Sequence, residues 1–406
     1  MVSLVLVSVL AGIGIINPGA SRAAPGTIPG LTGPTFNLEA TDGRIIMPTG
    51  ETIYMWGFAE LGGTFQYPGP NLIVTQGDTV TVNLTNNLTV PVSITFPGQA
   101  DVLADGTPVQ PEVNGGTGAL ESLTTSVAPG NTIAYSFIAA EPGTYLYESG
   151  TDANLQTQMG LFGALIVRPA LGTTYAYNVA STAFTPGREY LLLFHELDPV
   201  IHNAVEDGYT PDLEAFWPRY WTINGRAFPD TIAPDNAPWL PSQPYGSLVV
   251  VEPDEVALVR LADPGVHDHP FHTHANHLNQ IAHDGRMLLG PLGEDLSHME
   301  FTTVVAAGQT FDTTFTWTDV YGWDPETNPI PVQIPDMRNL AFPGPFYSGD
   351  PYLGQQGDLP VGDLVVNEYG EFYFPWHSHS EREMANWGGE TGGMMTLLRV
   401  NPPGSP

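Results

Sequence analysis

Histidines at alternate positions are the residues of this chain whose spacing most directly suggests a chemistry. Residues 266–280 read VHDHPFHTHANHLNQ and hold five of the 11 histidines, among them His272 and His274. A second pair with the same spacing, His377 and His379, follows later in the chain. On a β-strand, side chains two residues apart point to the same face, and neutral imidazole binds copper, zinc and iron. The pairs predict a metal site on neighbouring strands; the alternative is an exposed histidine-rich strand without ligands.

Strands are expected to position these histidines, because no stretch has the periodicity of a long amphipathic helix. The 406 residues include 45 glycines and 39 prolines, and 42% are hydrophobic. Short apolar runs between turn-forming residues predict an all-β sandwich architecture. The candidate strands of this kind are residues 71–85, 132–138, 160–167, 247–261, 311–317, 372–379 and 394–400.

Charge and cysteine content exclude several classes of partner and site. The net charge is −32, and all 11 basic residues are arginines. Because an acidic surface repels nucleic acid and anionic membranes, neither is expected as a partner. The chain has no cysteine, so disulfide bonds and thiolate metal ligands are excluded.

The N-terminal segment predicts export. Residues 2–16 are almost wholly apolar, and small residues follow them up to Ala24. This run is too short to span a membrane and is typical of a secretory signal, here residues 1–23 with cleavage near Ala23. No basic residue precedes the run, which departs from the usual pattern. We expect a secreted or periplasmic protein without membrane insertion.

Further motifs occur in a fixed order around the histidines. They are GTYLY at 143–147, MGLFGALIV at 159–167, YWTINGRAFP at 220–229, HPFHTH at 269–274, WHSH at 376–379 and GGMM at 392–395. With these motifs the chain resembles the multicopper oxidases, and specifically their two-domain members. The resemblance implies two tandem cupredoxin domains, which are Greek-key β-sandwiches. We expect the first domain at residues 24–170 and the second, with the histidines, at 171–406.

The resemblance implies copper sites that this sequence can form only in part. In the family, four H-x-H motifs hold a three-copper cluster that reduces dioxygen, and a cysteine helps to bind a type 1 copper. The first-domain motifs are replaced here by Thr95-Phe-Pro97 and Glu148-Ser-Gly150. Ser378 occupies the cysteine's position. We therefore expect neither the usual oxygen-reducing cluster nor a type 1 copper.

The second domain keeps the family's remaining ligands. Four of them are expected to converge on one site: His272, His274, His377 and His379. This site would hold one or two copper ions, and other divalent metals also suit it. Two-domain members are commonly trimers, in which the first domain of one chain faces the second domain of the next. A homotrimer would bring Glu148 to the histidines as a further ligand; the alternative is a solvated loop carboxylate.

The histidines outside the two pairs have weaker interpretations. His269 keeps a place in the type 1 copper site, although the cysteine is missing and Glu383 stands near the position of the next ligand histidine. His195 is expected to be structural, and His202 is expected to lie at the surface.

Two functions remain open from the sequence. The first is a copper-dependent oxidoreductase of reduced type, which acts on a small phenolic or metal-ion substrate. The second is a non-enzymatic cupredoxin that binds metal or serves as a structural scaffold. No catalytic residue is assigned, because no other constellation of catalytic residues occurs.

Overall fold

Alternating burial along the chain explains how these residues form sheets. In Thr79–Asn86, for example, the apolar side chains of Val80, Val82 and Leu84 are buried and the residues between them are not. This is the pattern of a strand with one face against a core. The computed structural model describes residues 27–274, 276–318, 333–335, 364–366, 372–388 and 392–401. It confirms the predicted all-β class, while the predicted signal segment lies outside the described residues.

The first sandwich packs two sheets against each other. Its strands are β1 (Leu31–Thr32), β2 (Thr35–Ile46), β3 (Thr52–Glu60), β4 (Leu72–Thr75), β5 (Thr79–Asn86), β6 (Leu103–Ala104), β7 (Thr107–Pro108), β10 (Thr132–Ile138), β11 (Gly143–Glu148) and β12 (Phe162–Arg168), while β8 (Glu112–Val113) and β9 (Leu120–Ser122) form a separate ribbon. One sheet has the order β1-β4-β12-β11 and the other β3-β2-β5-β10-β6-β7.

The second sandwich is built in the same way. Its strands are β13 (Glu189–Leu197), β14 (Tyr220–Ile223), β15 (Val249–Val251), β16 (Val256–Ala262), β17 (His269–Thr273), β18 (Leu278–His283), β19 (Arg286–Met287), β20 (His298–Glu300), β21 (Thr302–Val305), β22 (Thr310–Thr316), β25 (Phe372–Ser378) and β26 (Met395–Val400), while β23 (Gln333–Pro335) and β24 (Leu364–Val366) form a separate ribbon. One sheet has the order β14-β13-β16-β22-β18-β19, with β20 on β18, and the other β15-β26-β25-β17-β21.

The core of the second sandwich determines which way the histidines point. Phe271 and Trp376 are fully buried and belong to the same apolar cluster, together with Met394. Because side chains alternate along a strand, the neighbouring His272 and His377 lie on the other face of the sheet. Core packing therefore places the histidine pairs outside the sandwich.

Buried ion pairs join the two sandwiches. The fully buried Arg260 of β16 contacts Glu189 at 2.8 Å and Asp312 at 2.9 Å. From the first sandwich, Arg168 contacts the same glutamate at 2.5 Å, and the Thr144 hydroxyl donates to the same aspartate at 2.5 Å. The shared acceptors hold the two sandwiches together.

Helices contribute little to the part of the chain that the structure describes. They are α1 (Ala153–Gln158), α2 (Pro199–Glu206) and α3 (Glu381–Met384), with a few short 3-10 turns. Among the described residues, no helix combines the length and apolar character that a membrane crossing requires.

Candidate metal centre

Two adjacent antiparallel strands bring the predicted histidines together. In the register of β17 and β25, His272 lies directly opposite His377, and the two ring centroids are 5.7 Å apart. The ring of His274 is 4.9 Å from that of His377. The ring of His379 is 4.9 Å from that of His272. These four residues are called the four-histidine cluster below.

Hydrogen bonds hold the outer nitrogens of two of these rings. Nδ1 of His377 lies 2.7 Å from the backbone carbonyl oxygen of Ser378, and Nδ1 of His272 lies 2.8 Å from the Thr302 hydroxyl. Ligand histidines usually have one ring nitrogen held in this way, so that the other can bind the metal. Nε2 of His377 is 2.8 Å from Nε2 of His274, a separation that would open to about 3.4 Å if both bound one tetrahedral ion.

The environment keeps three of these imidazoles neutral. Burial lowers the pKa of His377 to about 4, against a smaller opposing effect of its hydrogen bond to the Ser378 carbonyl. Burial, followed by repulsion from neighbouring imidazoles, also lowers the pKa of His272 and of His274. Neutral imidazole is the form that binds metals. The four rings are not yet close enough to bind one ion together, however, because no three of their nitrogens lie within 4.8 Å of one another.

A wall of hydrogen-bonded hydroxyls, from Ser93, Ser122 and Thr151, lies beside Gly150, one of the positions that correspond to the family's first-domain histidines. The Thr151 hydroxyl donates to Ser93 Oγ at 2.9 Å, and the Gly150 amide donates to the same oxygen at 3.1 Å. Ser122 Oγ lies 3.0 Å from the Thr151 hydroxyl. These groups satisfy one another without a metal.

Glu148 lies at the edge of this wall. Its carboxylate is partly buried, and burial raises its pKa to about 7. Its backbone pairs with Thr95 through hydrogen bonds of 2.8 and 3.2 Å. Within the described parts of a single chain, no hydrogen bond or ion pair links its carboxylate to the four-histidine cluster.

His269 lies in a different environment from the four-histidine cluster. Its Nδ1 is 2.9 Å from Glu383 Oε2, and the Ser378 hydroxyl donates to that same oxygen at 2.6 Å. The residues at the type 1 copper positions thus bind one another, and no thiolate is present. Because blue copper chemistry depends on the copper–thiolate bond, a type 1 copper does not fit here.

Carboxylates surround His269 on its other side as well. Its Nε2 is 3.2 Å from Glu196 Oε2 and 3.9 Å from Asp263 Oδ2. Burial opposes the charged form of His269, but its bonds to Glu196 and Glu383 outweigh burial and raise its pKa to about 10. The same contact holds the pKa of Glu196 at about 2, although burial acts to raise it. Carboxylates at both ring nitrogens therefore favour the imidazolium form of His269. His269 and its three carboxylates are called the His269 cluster below.

Two features of the histidine environments were not predicted from the sequence. Glu196 and Asp263 were not predicted as site residues; the only signal was a charged residue ending the apolar run of β13. The prediction that His202 lies at the surface is wrong, because its side chain is fully buried. Its Nδ1 is 2.6 Å from the Tyr54 carbonyl, and its Nε2 is 3.2 Å from the Gln158 amide nitrogen, so both ring nitrogens have partners in the interior.

Comparison with known proteins gives a consistent assignment. Residues 46–171 match the family model described as multicopper oxidase. A multicopper oxidase (MCE) of Talaromyces pinophilus is 33% identical over 118 residues, which are 29% of this chain and 18% of that protein. Laccase-3 of Oryza sativa subsp. japonica is 28% identical over 258 residues, 61% of this chain and 38% of that protein. The matched regions thus span less than half the length of these relatives.

A solved structure extends the similarity of the fold to most of the chain. The blue copper oxidase from Nitrosomonas europaea matches with a TM-score of 0.59 at 22% identity, over 91% of this chain and 85% of that one. The paired sandwiches and this likeness define a cupredoxin-type fold. More particularly, the chain is a multicopper-oxidase-like cupredoxin protein.

Proposed function

We propose that this protein binds copper at the four-histidine cluster and is a multicopper-oxidase-like oxidoreductase of reduced type. The observation that supports this most is the gathering of four imidazoles, from two adjacent strands, around His272 and His377. The donor set suits one or two copper ions, and Zn²⁺, Mn²⁺ or Fe²⁺ are alternatives with the same kind of ligand.

The chain's own residues prepare this site in three ways. Thr302 and the Ser378 carbonyl orient two rings. Burial keeps His377 unprotonated near neutral pH, and the exposed His379 leaves one side of the cluster open to solvent. Bound copper would supply one-electron redox chemistry with oxygen or peroxide. Because no type 1 copper is expected, a small phenolic or metal-ion substrate would have to deliver electrons at this cluster.

Assembly completes the proposal. Glu148 does not contact the cluster within one chain, but its burial-raised pKa of about 7 marks a carboxylate that a cation would stabilise. Exposed apolar residues border both regions: Leu123 beside the first-domain wall, and Phe301, whose ring is 5.9 Å from that of His272. A head-to-tail homotrimer would bury them and bring Glu148 of one copy to the cluster of the next. Light scattering on the purified protein tests this; a monomer at micromolar concentration would exclude it.

Copper loading tests the proposed activity. Purified protein is loaded with Cu²⁺, freed of excess metal, and assayed for bound copper and for oxidation of a phenol and of Fe²⁺. We expect about one or two ions per chain, and both signals should fall in the His272→Ala/His377→Ala variant. The matched control is His283→Ala/His298→Ala, which removes two imidazoles outside the cluster. Copper binding without activity above that of free copper would leave the second candidate.

That second candidate is a non-enzymatic metal-binding or structural cupredoxin. The first-domain wall favours it, because the hydroxyls of Ser93, Ser122 and Thr151 form hydrogen bonds with one another and need no metal. In this case the His272→Ala/His377→Ala variant should assemble as the unaltered protein does.

Export is proposed for either function, and N-terminal sequencing of the mature protein would show whether cleavage occurs near Ala23.

A further inference from the structure

Three ligand atoms converge beside His269, separately from the four-histidine cluster. They are Nε2 of His269, Oε2 of Glu196 and Oδ2 of Asp263, and all lie within 4.8 Å of one another. The nitrogen is 3.2 Å from the Glu196 oxygen and 3.9 Å from the Asp263 oxygen. Two donors on one zinc ion, each about 2.1 Å from it, are about 3.4 Å apart at the tetrahedral angle. The observed separations bracket that value.

Asp263 provides an independent sign of a missing partner. Its side chain is fully buried, and its Oδ1 accepts a hydrogen bond of 2.7 Å from the Gly265 amide. Oδ2, which faces His269, has no hydrogen-bond partner among the described residues. Because an unpaired buried carboxylate oxygen is costly, a cation is the partner that its chemistry favours.

Hydrogen bonds orient the other two ligands, Glu196 and His269. Glu196 Oε1 accepts from the backbone amides of Val266 at 2.6 Å and His267 at 2.9 Å, which leaves Oε2 for the site. Nδ1 of His269 is 2.9 Å from the Glu383 carboxylate. A metal-binding histidine almost always donates its other N–H to such a group. The three ligands are thus already oriented for an ion.

The charge balance of the site points the same way. Three carboxylates surround one imidazole, and none of the side chains of Glu196, Asp263, Glu383 and His269 is more than 2% exposed. Burial raises the pKa of the Asp263 carboxyl well above its ordinary value, so this group is favoured in its uncharged form unless a further cation supplies the charge that the buried carboxylates lack. A β-carbon on Gly265 would lie 2.3 Å from Glu196 Oε2, so a glycine is needed where the covering loop passes the Glu196 carboxylate.

We infer that Glu196, Asp263 and His269 form a second site, which binds one small divalent cation of the Zn²⁺ type. Glu196 lies near the end of β13, Asp263 follows β16 and His269 begins β17. The ion would therefore tie the two sheets of the second sandwich together. On binding, it replaces the proton on Nε2 of His269, and that proton passes to solvent without any redox change. One nitrogen, two oxygens and full burial suit a four-coordinate ion better than Ca²⁺ or Mg²⁺, which need more oxygen ligands or waters.

Metal analysis tests this inference independently of the proposed function. The full-length His272→Ala/His377→Ala protein, which lacks two ligands of the four-histidine cluster, is stripped of metal and titrated with Zn²⁺. We expect about one tightly bound ion per chain and a higher thermal unfolding temperature, because an ion that binds only the folded state stabilises it. Adding Asp263→Asn should weaken Zn²⁺ binding at least tenfold. Adding Asp268→Asn, an exposed acid on the same loop, should not.

Equal Zn²⁺ affinity of the Asp263→Asn and Asp268→Asn proteins would overturn the inference, as would fewer than about 0.2 ions per chain in the double-alanine protein. Anomalous diffraction at the zinc edge, from crystals of the unaltered protein grown with Zn²⁺, decides the question if the Asp263 substitution prevents folding. A peak within about 2.5 Å of Nε2 of His269 supports the site. Full-length crystals with zinc elsewhere and none at His269 would contradict it.

Discussion

The four-histidine cluster and the His269 cluster differ in chemistry although one strand, β17, contributes to both. His272 and His274 lie among other imidazoles, and their pKa values are lowered. His269, three residues earlier, lies among carboxylates, and its pKa is raised to about 10. The rings of His272 and His274 are favoured as neutral ligands, whereas the carboxylates favour a charged His269 ring as long as no metal replaces its proton. The neighbours of a histidine, rather than its place in a motif, decide its chemical form.

His202 shows that burial alone does not produce this difference. It is as fully buried as His269, but its partners are the Tyr54 carbonyl and the Gln158 amide. Burial lowers its pKa to about 4, despite smaller opposing hydrogen bonds. Two buried rings therefore shift in opposite directions, because only His269 has carboxylates at both nitrogens.

The largest effect on stability is expected from removing the positively charged ring of His269. In the metal-free protein, His269→Ala leaves Glu196, Asp263 and Glu383 buried without their counter-charge. Breaking a buried charge network on one side typically costs about 3–5 kcal/mol, so the urea unfolding midpoint should fall strongly. His298→Ala, at an exposed position, should change stability by less than about 0.5 kcal/mol. If the two variants are equally stable, the carboxylates are not held by a buried imidazolium.

A different result is expected in the four-histidine cluster. His377→Ala should reduce Cu²⁺ affinity at least tenfold, which is about 1.4 kcal/mol of binding energy. It removes a neutral ring and no counter-charge, so the metal-free protein should lose less stability than the His269→Ala variant. Competition titration with a copper chelator and urea unfolding measure the two effects. Unchanged copper affinity would mean that the cluster is not the copper site.

A third effect concerns pH and His202. Its folded-state pKa of about 4 lies below the ordinary value of 6.5, so the unfolded chain binds this proton more readily. The contribution of His202 to stability should therefore fall as the pH drops below about 6.5, by about 2 kcal/mol at pH 5. His202→Asn retains a donor for the Tyr54 carbonyl but cannot take up the proton. Its stability should vary less between pH 7 and pH 5; an unchanged pH dependence would contradict the assigned ionisation state.

Much of the architecture could be predicted from local patterns. Turn-rich composition and short apolar runs indicated the all-β class, which the structure and its neighbours confirm. The adjacency of the two H-x-H pairs followed from their equal spacing and the family resemblance. Such patterns depend on strand periodicity, which is a local property and can therefore be recognised in the sequence.

The His269 cluster could not be predicted in the same way. Glu196 is separated from His269 by β14, β15 and β16 in the sequence, whereas Asp263 lies on the loop between β16 and β17. All three side chains converge only when the two sheets pack. Their effect depends on burial and on backbone amides of the covering loop, which no motif encodes. The burial of His202 likewise depends on the neighbouring sandwich, through Tyr54 and Gln158.

Electron paramagnetic resonance of Cu²⁺-loaded protein tests the central claim most directly, because it reports how many imidazole nitrogens bind the ion. For the unaltered protein we predict Cu²⁺ coupled to more than one imidazole, without the strong visible absorption of a copper–thiolate bond. In the His272→Ala/His377→Ala variant this signal should disappear, while that of the His283→Ala/His298→Ala control should persist. An identical multi-imidazole spectrum in both variants would show that copper binds elsewhere.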